Sequence, residues 1–391
     1  MKKFSAQYII TNNGPALKRG IVSVDDDGRI ISVENTKGNL REAHSIEFYN
    51  GIIVPGFVNC HCHLELSHMK GLIKSGKGLP DFISQIRSGR GMMAEKTSSS
   101  AASADNTMFR NGISLCADIC NTDSTFELKK KSRIRYINFV EIFGIDPSRA
   151  GKRIEEAIAV AASAAKLQLK YSIVPHSVYS VSRKLFQLIL AETKDNDITS
   201  VHFMESAGEK ELLEKSEGVL MESYIRSGLL GGEHDFVSSH EDAVLNRITP
   251  SGNMILVHNT YVTRSIIRKI SERKDLYWCL CPNSNLYIEK KLPPVDLLLE
   301  ERCEPVIGTD SLASNKSLDI IEELKTLQAA YPELGLEDLV RWATLNGAKA
   351  LCSDDEFGTI EPGKKPGLLL IEDADIAAMK LTNETSVRRL A

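Results

Sequence analysis

The chain has 391 residues, 42% of them hydrophobic and 26% charged, and a formal net charge of −4. That length suits one large barrel with an appendage, or two domains, with a substantial core. The two charge signs are interspersed and no apolar run approaches a membrane span, so neither nucleic acid nor membrane is expected as a partner.

The first residues, Met1 to Ile10, carry two lysines but no adequate apolar stretch after them, and read as a first strand rather than a signal peptide. Residues 4–54 are rich in strand signals. Gly20–Val24 and Arg29–Val33 flank Asp25-Asp26-Asp27-Gly28, which predicts a β-hairpin. From residue 55 to about 355 apolar runs of strand length alternate with helical segments. The strands are expected at Phe57–His61, Ile113–Asp118, Tyr136–Ile142, Tyr171–His176, Thr199–Phe203, Met254–His258, Leu276–Cys281 and Pro305–Gly308. Helices are expected between them, among others over Arg153–Gln168, Arg183–Thr193, Leu212–Ser227, Arg264–Arg273 and Leu318–Ala330. The Ser/Ala-rich residues 94–105 read as a solvated helix face. Eight strand–helix units in about 300 residues predict an α/β fold, a (β/α)₈ barrel. The tail returns to strands, with Leu368–Glu372 the clearest. The expected division is a small β-sandwich domain built from residues 1–54 and 356–391, and a barrel over 55–355. Eight cysteines in so long a chain do not make a disulfide framework, and a reducing cytoplasm is the simplest setting.

Five of the nine histidines fall at predicted strand ends: His61, His63, His176, His202 and His258. His44, His68, His234 and His240 do not, and read as ordinary. His61 and His63 are two apart, so on a regular strand they share a face while Cys60 and Cys62 point the other way and pack outward. Taken alone the pair could be ordinary core or surface histidines. In a barrel, however, strand C-termini converge on one rim where catalytic groups gather. With Asp310 just past the eighth strand, the cluster suits Zn²⁺ or another divalent ion held by His61, His63, His202 and Asp310, leaving a position for water whose pKa falls towards about 7. The alternative for Asp310 is an N-cap for the helix beginning near Leu318. Cys279 and Cys281 read as buried packing. Glu205 follows His202 by three and reaches the same site only if the chain turns after Phe203. There it could shuttle protons; otherwise it is a solvated loop glutamate.

These stretches resemble the amidohydrolase superfamily. Pro55-Gly56-Phe57-Val58-Asn59-Cys60-His61-Cys62-His63 is similar to its opening motif. So, in order, are His176–Ser182, His202–Glu205, Leu256–His258, Gly308–Asn315 and Gly358–Lys365. Within it the chain resembles the mononuclear deaminase and chlorohydrolase branch, which includes S-adenosylhomocysteine, aminofutalosine and guanine deaminases. The His63–Ser67 run points towards the aminofutalosine type. The resemblance implies a metal-dependent hydrolase of non-peptide carbon–nitrogen bonds, with metal-bound hydroxide attacking a ring C–NH₂ carbon and releasing ammonia. Glu205 would protonate the ring nitrogen, and His258 would orient the attacking oxygen. Asp310 would pass a proton to the departing amine. His176, and Asp81 after the first strand, would contact substrate; the alternative for Asp81 is a helix N-terminal carboxylate. One divalent ion is expected, Zn²⁺ first, with Fe²⁺ and Mn²⁺ permitted by the same ligands. The lysine of binuclear relatives is missing at Val174-Pro175-His176, and Lys170 sits at the other end of that strand. A small heterocycle is the expected substrate, and a homo-oligomer is compatible with the sequence. A chlorohydrolase or cyclic-amide hydrolase on the same site, or a non-catalytic metal-binding barrel, are the competing readings.

Overall fold

The computed structural model describes residues 1–41, 45–89, 96–230, 235–248 and 252–391. His44, His234 and residues 94 and 95 lie outside the described residues. The chain opens with β1 (Lys2–Ile9), β2 (Leu17–Lys18), β3 (Ile21–Val24), β4 (Ile30–Glu34) and β5 (Ile46–Pro55). β3 and β4 pair antiparallel as the expected hairpin. Gly28 closes the turn at φ +82°, a left-handed conformation that a residue without Cβ adopts freely.

The alternating region follows. Its elements are β6 (Phe57–Cys62), α1 (Leu79–Gly89), α2 (Thr97–Arg110), β7 (Ile113–Cys120), α3 (Phe126–Lys131), β8 (Arg135–Ile142), α4 (Ala150–Lys166), β9 (Lys170–Pro175) and α5 (Arg183–Thr193). The second half runs β10 (Ile198–Phe203), α6 (Gly208–Lys215), α7 (Gly218–Arg226), α8 (His240–Asp242), β11 (Asn253–His258), α9 (Arg264–Ile270), β12 (Leu276–Leu280), α10 (Pro282–Glu289), α11 (Val295–Glu300), β13 (Glu304–Ile307) and α12 (Ile320–Ala330). All eight expected barrel strands are present. The single helix expected over Leu212–Ser227 is instead two, because Ser216 and Gly218 take left-handed backbone at φ +55° and +87°.

The barrel is built from two parallel four-stranded sheets, β6-β7-β8-β9 and β10-β11-β12-β13. They join through single parallel bridges, Ser177 to His202 and Cys62 to Asp310. The two seams are therefore made at the mouth, by residues of the histidine cluster and their neighbours. Strand side chains divide between two apolar clusters. Val58, Leu115, Ile137, Val174, Ile255, Val257 and Val306 fill the inside. Phe57, Ile113, Val140, Val201, Leu256 and Ile307 face the helices, among them Ala157 and Ala161 of α4 and Leu185 of α5. The segment α13 (Leu336–Arg341) to α14 (Gly347–Ala350) ends beside the inner cluster, to which Ala348, Ala350 and Phe357 belong.

The chain then returns as β14 (Leu368–Glu372) and β15 (Ser386–Arg389). β14 pairs antiparallel with β5, Leu368 opposite Pro55, completing a seven-stranded sheet in the order β15-β14-β5-β1-β3-β4 with β2 beside β1. The small β domain thus draws on both ends of the chain. Gly56 marks its junction with the barrel. A Cβ there would lie 2.1 Å from Ser114 Oγ and 2.3 Å from the Pro366 carbonyl, so no side chain fits. Among the described residues, no helix is long and apolar enough to cross a membrane.

Candidate active site

β6 delivers the first two side chains. His61 and His63 point the same way, with their Nε2 atoms 3.1 Å apart. The cysteines do not behave as a regular strand would dictate. The pairing of β6 with β7 shifts register between Asn59 and Cys62. Cys62 lies in the outer cluster, as expected, but Cys60 lies in the inner one beside Cys279 and Cys281. A bulge of this kind re-aims successive side chains at a barrel rim. All four cysteines are buried and free.

The other donors arrive at the seams. His202, near the end of β10, donates its backbone N–H to the His176 carbonyl at 2.9 Å. Its ring Nδ1 meets the same carbonyl at 2.6 Å. A carbonyl only accepts, so Nδ1 carries the proton and Nε2 keeps its lone pair. Burial, reinforced by the neighbouring imidazoles, pushes the His202 pKa well down, so the ring is neutral. His176 follows β9, its ring stacked on His202 with centroids 4.6 Å apart and its Nδ1 2.7 Å from Ser180 Oγ. Across the mouth, the N–H groups of Thr309 and Asp310 both reach the His61 carbonyl at 3.0 Å.

Asp310 adopts left-handed backbone at φ +56°. Its Oδ2 accepts hydrogen bonds from Ser284 and Ser314, each at 2.6 Å. Oδ1 faces the histidines, 3.4 Å from His63 Nε2 and 3.7 Å from His61 Nε2. Burial alone would raise this carboxyl, but the nearby imidazoles of His61, His63 and His258 outweigh it and hold it well below the usual range. The helix cap considered for Asp310 is supplied instead by Asp319, which accepts from Ile321 N–H. His61, His63 and His202 each offer a ligand nitrogen within 4.8 Å of the others. Imidazole lone pairs and a carboxylate oxygen gathered in one buried pocket repel one another unless a cation lies among them, and this donor chemistry fits a divalent metal.

Beside this cluster stand Glu205 and His258, the His258 ring stacked on His202 with centroids 5.4 Å apart. The chain reverses at Met204, φ +49°, which turns Glu205 back into the mouth rather than out to solvent. Glu205 is buried, its Oε1 3.6 Å from His258 Nε2. Burial, with the charges of Glu209, Asp310 and Glu289, pushes its pKa well above the ordinary carboxylate value, against the smaller opposing pull of the Tyr179 hydroxyl. His258 sits at φ +78°. Its Nδ1 is 3.2 Å from Asn285 Oδ1. The Asn285 amide nitrogen is engaged by Thr260 Oγ1 and by the His258 carbonyl, so Asn285 presents its oxygen and His258 Nδ1 holds the proton. Burial and the His61 charge lower the His258 pKa to about 4, despite the opposing pull of Asp310 and Asn285. A neutral ring thus aims an accepting Nε2 at the mouth.

Asp81 lies in the first turn of α1 after Pro80, exposed, and accepts from Gln85 Nε2 at 2.5 Å. Lys170 points to the far end of the barrel, where its Nζ donates to the Cys352 carbonyl. Sequence reasoning missed Ser284, Asn285, Ser314 and Tyr179. The first two follow the proline that opens α10 directly after β12, a signal that marks a helix start at the rim.

Residues 52–387 match the profile of the Amidohydrolase family. The chain belongs to the amidohydrolase family. It is 26% identical over 335 residues to an adenosine deaminase of Helicobacter pylori, covering 82% of this chain and 79% of that one. Its fold superposes on the Helicobacter pylori aminofutalosine deaminase in complex with methylthio-coformycin with a TM-score of 0.79, at 23% identity, covering 95% of this chain and 92% of that one. A zinc-bound adenosine deaminase from Xanthomonas campestris gives 0.72 at 22% identity, over 96% and 85% of the two chains. This amidohydrolase is a hydrolase of carbon–nitrogen bonds, and it carries its histidine cluster at the rim where barrel enzymes place their chemistry.

Proposed function

We propose that this amidohydrolase is a metal-dependent aminohydrolase that deaminates a purine nucleoside, aminofutalosine or a related aminated heterocycle. The supporting observation is the pairing of a buried, proton-holding Glu205 with a neutral His258 directly beside the His61, His63, His202 and Asp310 donors. Those four residues hold the ion, taken as Zn²⁺, with Fe²⁺ or Mn²⁺ as substitutes on the same donors. When bound, the metal supplies Lewis-acid activation of water at neutral pH. A second trio, Glu141, His176 and His202, also lies within 4.8 Å. It borrows His202, whose Nδ1 is bonded to the His176 carbonyl, so we assign one ion rather than two.

The protein groups divide the proton traffic. Glu205 gives its proton to the ring nitrogen beside the amino-bearing carbon, making that carbon electron-poor. His258 Nε2 accepts a hydrogen bond from the attacking water and fixes its approach. Asp310 Oδ1 takes the water proton and hands it to the departing amine, while Ser284 and Ser314 keep Oδ2 occupied. As the C–NH₃⁺ bond breaks, the remaining hydroxyl proton passes back to Glu205, so the net change is replacement of C–NH₂ by C=O, with a proton on the ring nitrogen, and release of ammonia. His176 contacts the substrate ring or sugar, and Asp81 contacts it from the rim. We assign the chemistry to residues 55–355 and the small β domain to 1–54 with 356–391. The small heterocycle is the sole partner this reading requires, and its setting is the cytoplasm.

The test is ammonia release from a panel of purine nucleosides, their 5′-thioether derivatives, aminofutalosine, guanine and aminotriazines. At least one should yield one ammonia per 6-oxo or equivalent product. Chloride release from halogenated analogues with no ammonia from any amine would overturn the aminohydrolase reading.

A further inference from the structure

We propose that Glu209, held by His240, is a positioning residue that fixes Glu205 at the barrel mouth. The inference rests on the reading of Glu205 as the proton donor. A left-handed residue such as Met204 reverses the chain but does not by itself hold the next side chain still. Here the two peptide N–H groups on either side of Glu205 are tied to one carboxylate. Glu209 Oε2 accepts from Met204 N–H at 3.1 Å, and Oε1 accepts from Ser206 N–H at 2.8 Å. The carbonyls of the same turn are tied to the next strand: Asn259 N–H reaches Phe203 O at 3.0 Å and Tyr261 N–H reaches Met204 O at 2.9 Å.

Glu209 is 0% exposed, and its second oxygen also meets His240 Nε2 at 2.9 Å. His240, read from sequence as ordinary, is 3% exposed, and its ring lies edge-on to Phe203 with centroids 5.4 Å apart. The plain alternative is a capping box, because Ser206 and Glu209 have that spacing and Ser206 Oγ accepts from Gly208 N–H at 3.3 Å. A box uses only Oε1. It has no need of Met204, which lies before the helix, nor of a buried histidine. A buried carboxylate is tolerated when its lone pairs are occupied, and the three donors on Glu209 do that. Two of them belong to the backbone that carries Glu205. The charge of Glu209 also follows burial as a cause of the raised Glu205 pKa.

The test compares E209Q in two backgrounds. An amide keeps the size but offers only one accepting atom, so one flank of Glu205 is released. In the wild-type background E209Q should lower kcat by about 10²-fold, the scale of an ångström-sized misplacement, with KM and metal content little changed. In the E205Q background the same change should add no further loss, since Glu209 acts only through Glu205. H240A should lose kcat similarly, and H240Q, which keeps an N–H donor, should restore most of it. Unchanged kcat in E209Q, or an equal further loss in E205Q/E209Q, overturns the proposal. If E209Q does not fold, the H240A and H240Q pair decides: equal activity in the two overturns it. Full activity in E205Q is a separate outcome, and sinks the reading of Glu205 itself.

Discussion

The mouth of the barrel and its interior are made by the same strands yet follow opposite rules. Inside, Leu115, Ile137, Ile255 and Val306 pack as an ordinary apolar layer, carried by strands whose pairings run in unbroken parallel register. At the mouth the regularity stops. β6 slips register, and Met204, His258 and Asp310 each take left-handed backbone just as their strands end. Strained backbone of this kind persists only where the surroundings over-determine it. Here they do: Asn285, Ser284, Ser314 and Glu209 bind the rim residues from behind. The periodic part of the sequence specifies the scaffold, and the departures from periodicity specify the site.

Mutations at the two places should therefore separate activity from stability. The largest effect on turnover is expected at Glu205: Glu205→Gln should lose about 10²–10⁴-fold in kcat while retaining its metal, measured by steady-state assay with elemental analysis. Removing both hydroxyls behind Asp310, as Ser284→Ala with Ser314→Ala, should weaken metal affinity or activity by about 10–100-fold, read by chelator titration. The pH profile of kcat/KM should be bell-shaped. Activity falls as pH drops through about 4, where His258 gains a proton and can no longer accept, and falls again as pH rises through the elevated Glu205 pKa, where the acid is lost. The smallest effect on kcat belongs to the interior. Ile255→Ala should cost about 2–5 kcal/mol of stability in denaturant unfolding and leave kcat close to wild type. Equal loss of kcat at Ile255 and at Ser284 would erase the distinction between the two regions.

Much of the scaffold was legible because its signals are local and periodic. Strands such as Leu368–Glu372 and helix Arg183–Thr193 fall where apolar spacing puts them. The division of Leu212–Ser227 into α6 and α7 was only half visible: Gly218 is a turn signal, but the left-handed residue that ends α6 is Ser216, which has no special claim to that conformation. Of the site, the histidine cluster was legible because five imidazoles share one structural position, the strand end. The supporting residues were hidden for the opposite reason. Asn285, Ser314 and His240 are single polar residues on loops and short helices, and only the folded chain brings them behind His258, Asp310 and Glu205. The facing of Cys60 failed because a bulge breaks the period-two rule that predicted it.

The central claim is that donors from the barrel's two seams grip one cation. Elemental analysis of the purified chain beside its His61→Ala/His63→Ala variant, with the fold checked by circular dichroism, tests it most directly. One equivalent of divalent metal in the wild type, lost in a folded variant, is the result expected. Equal metal in both proteins, or a wild type in which no ion can be found or restored, would contradict it.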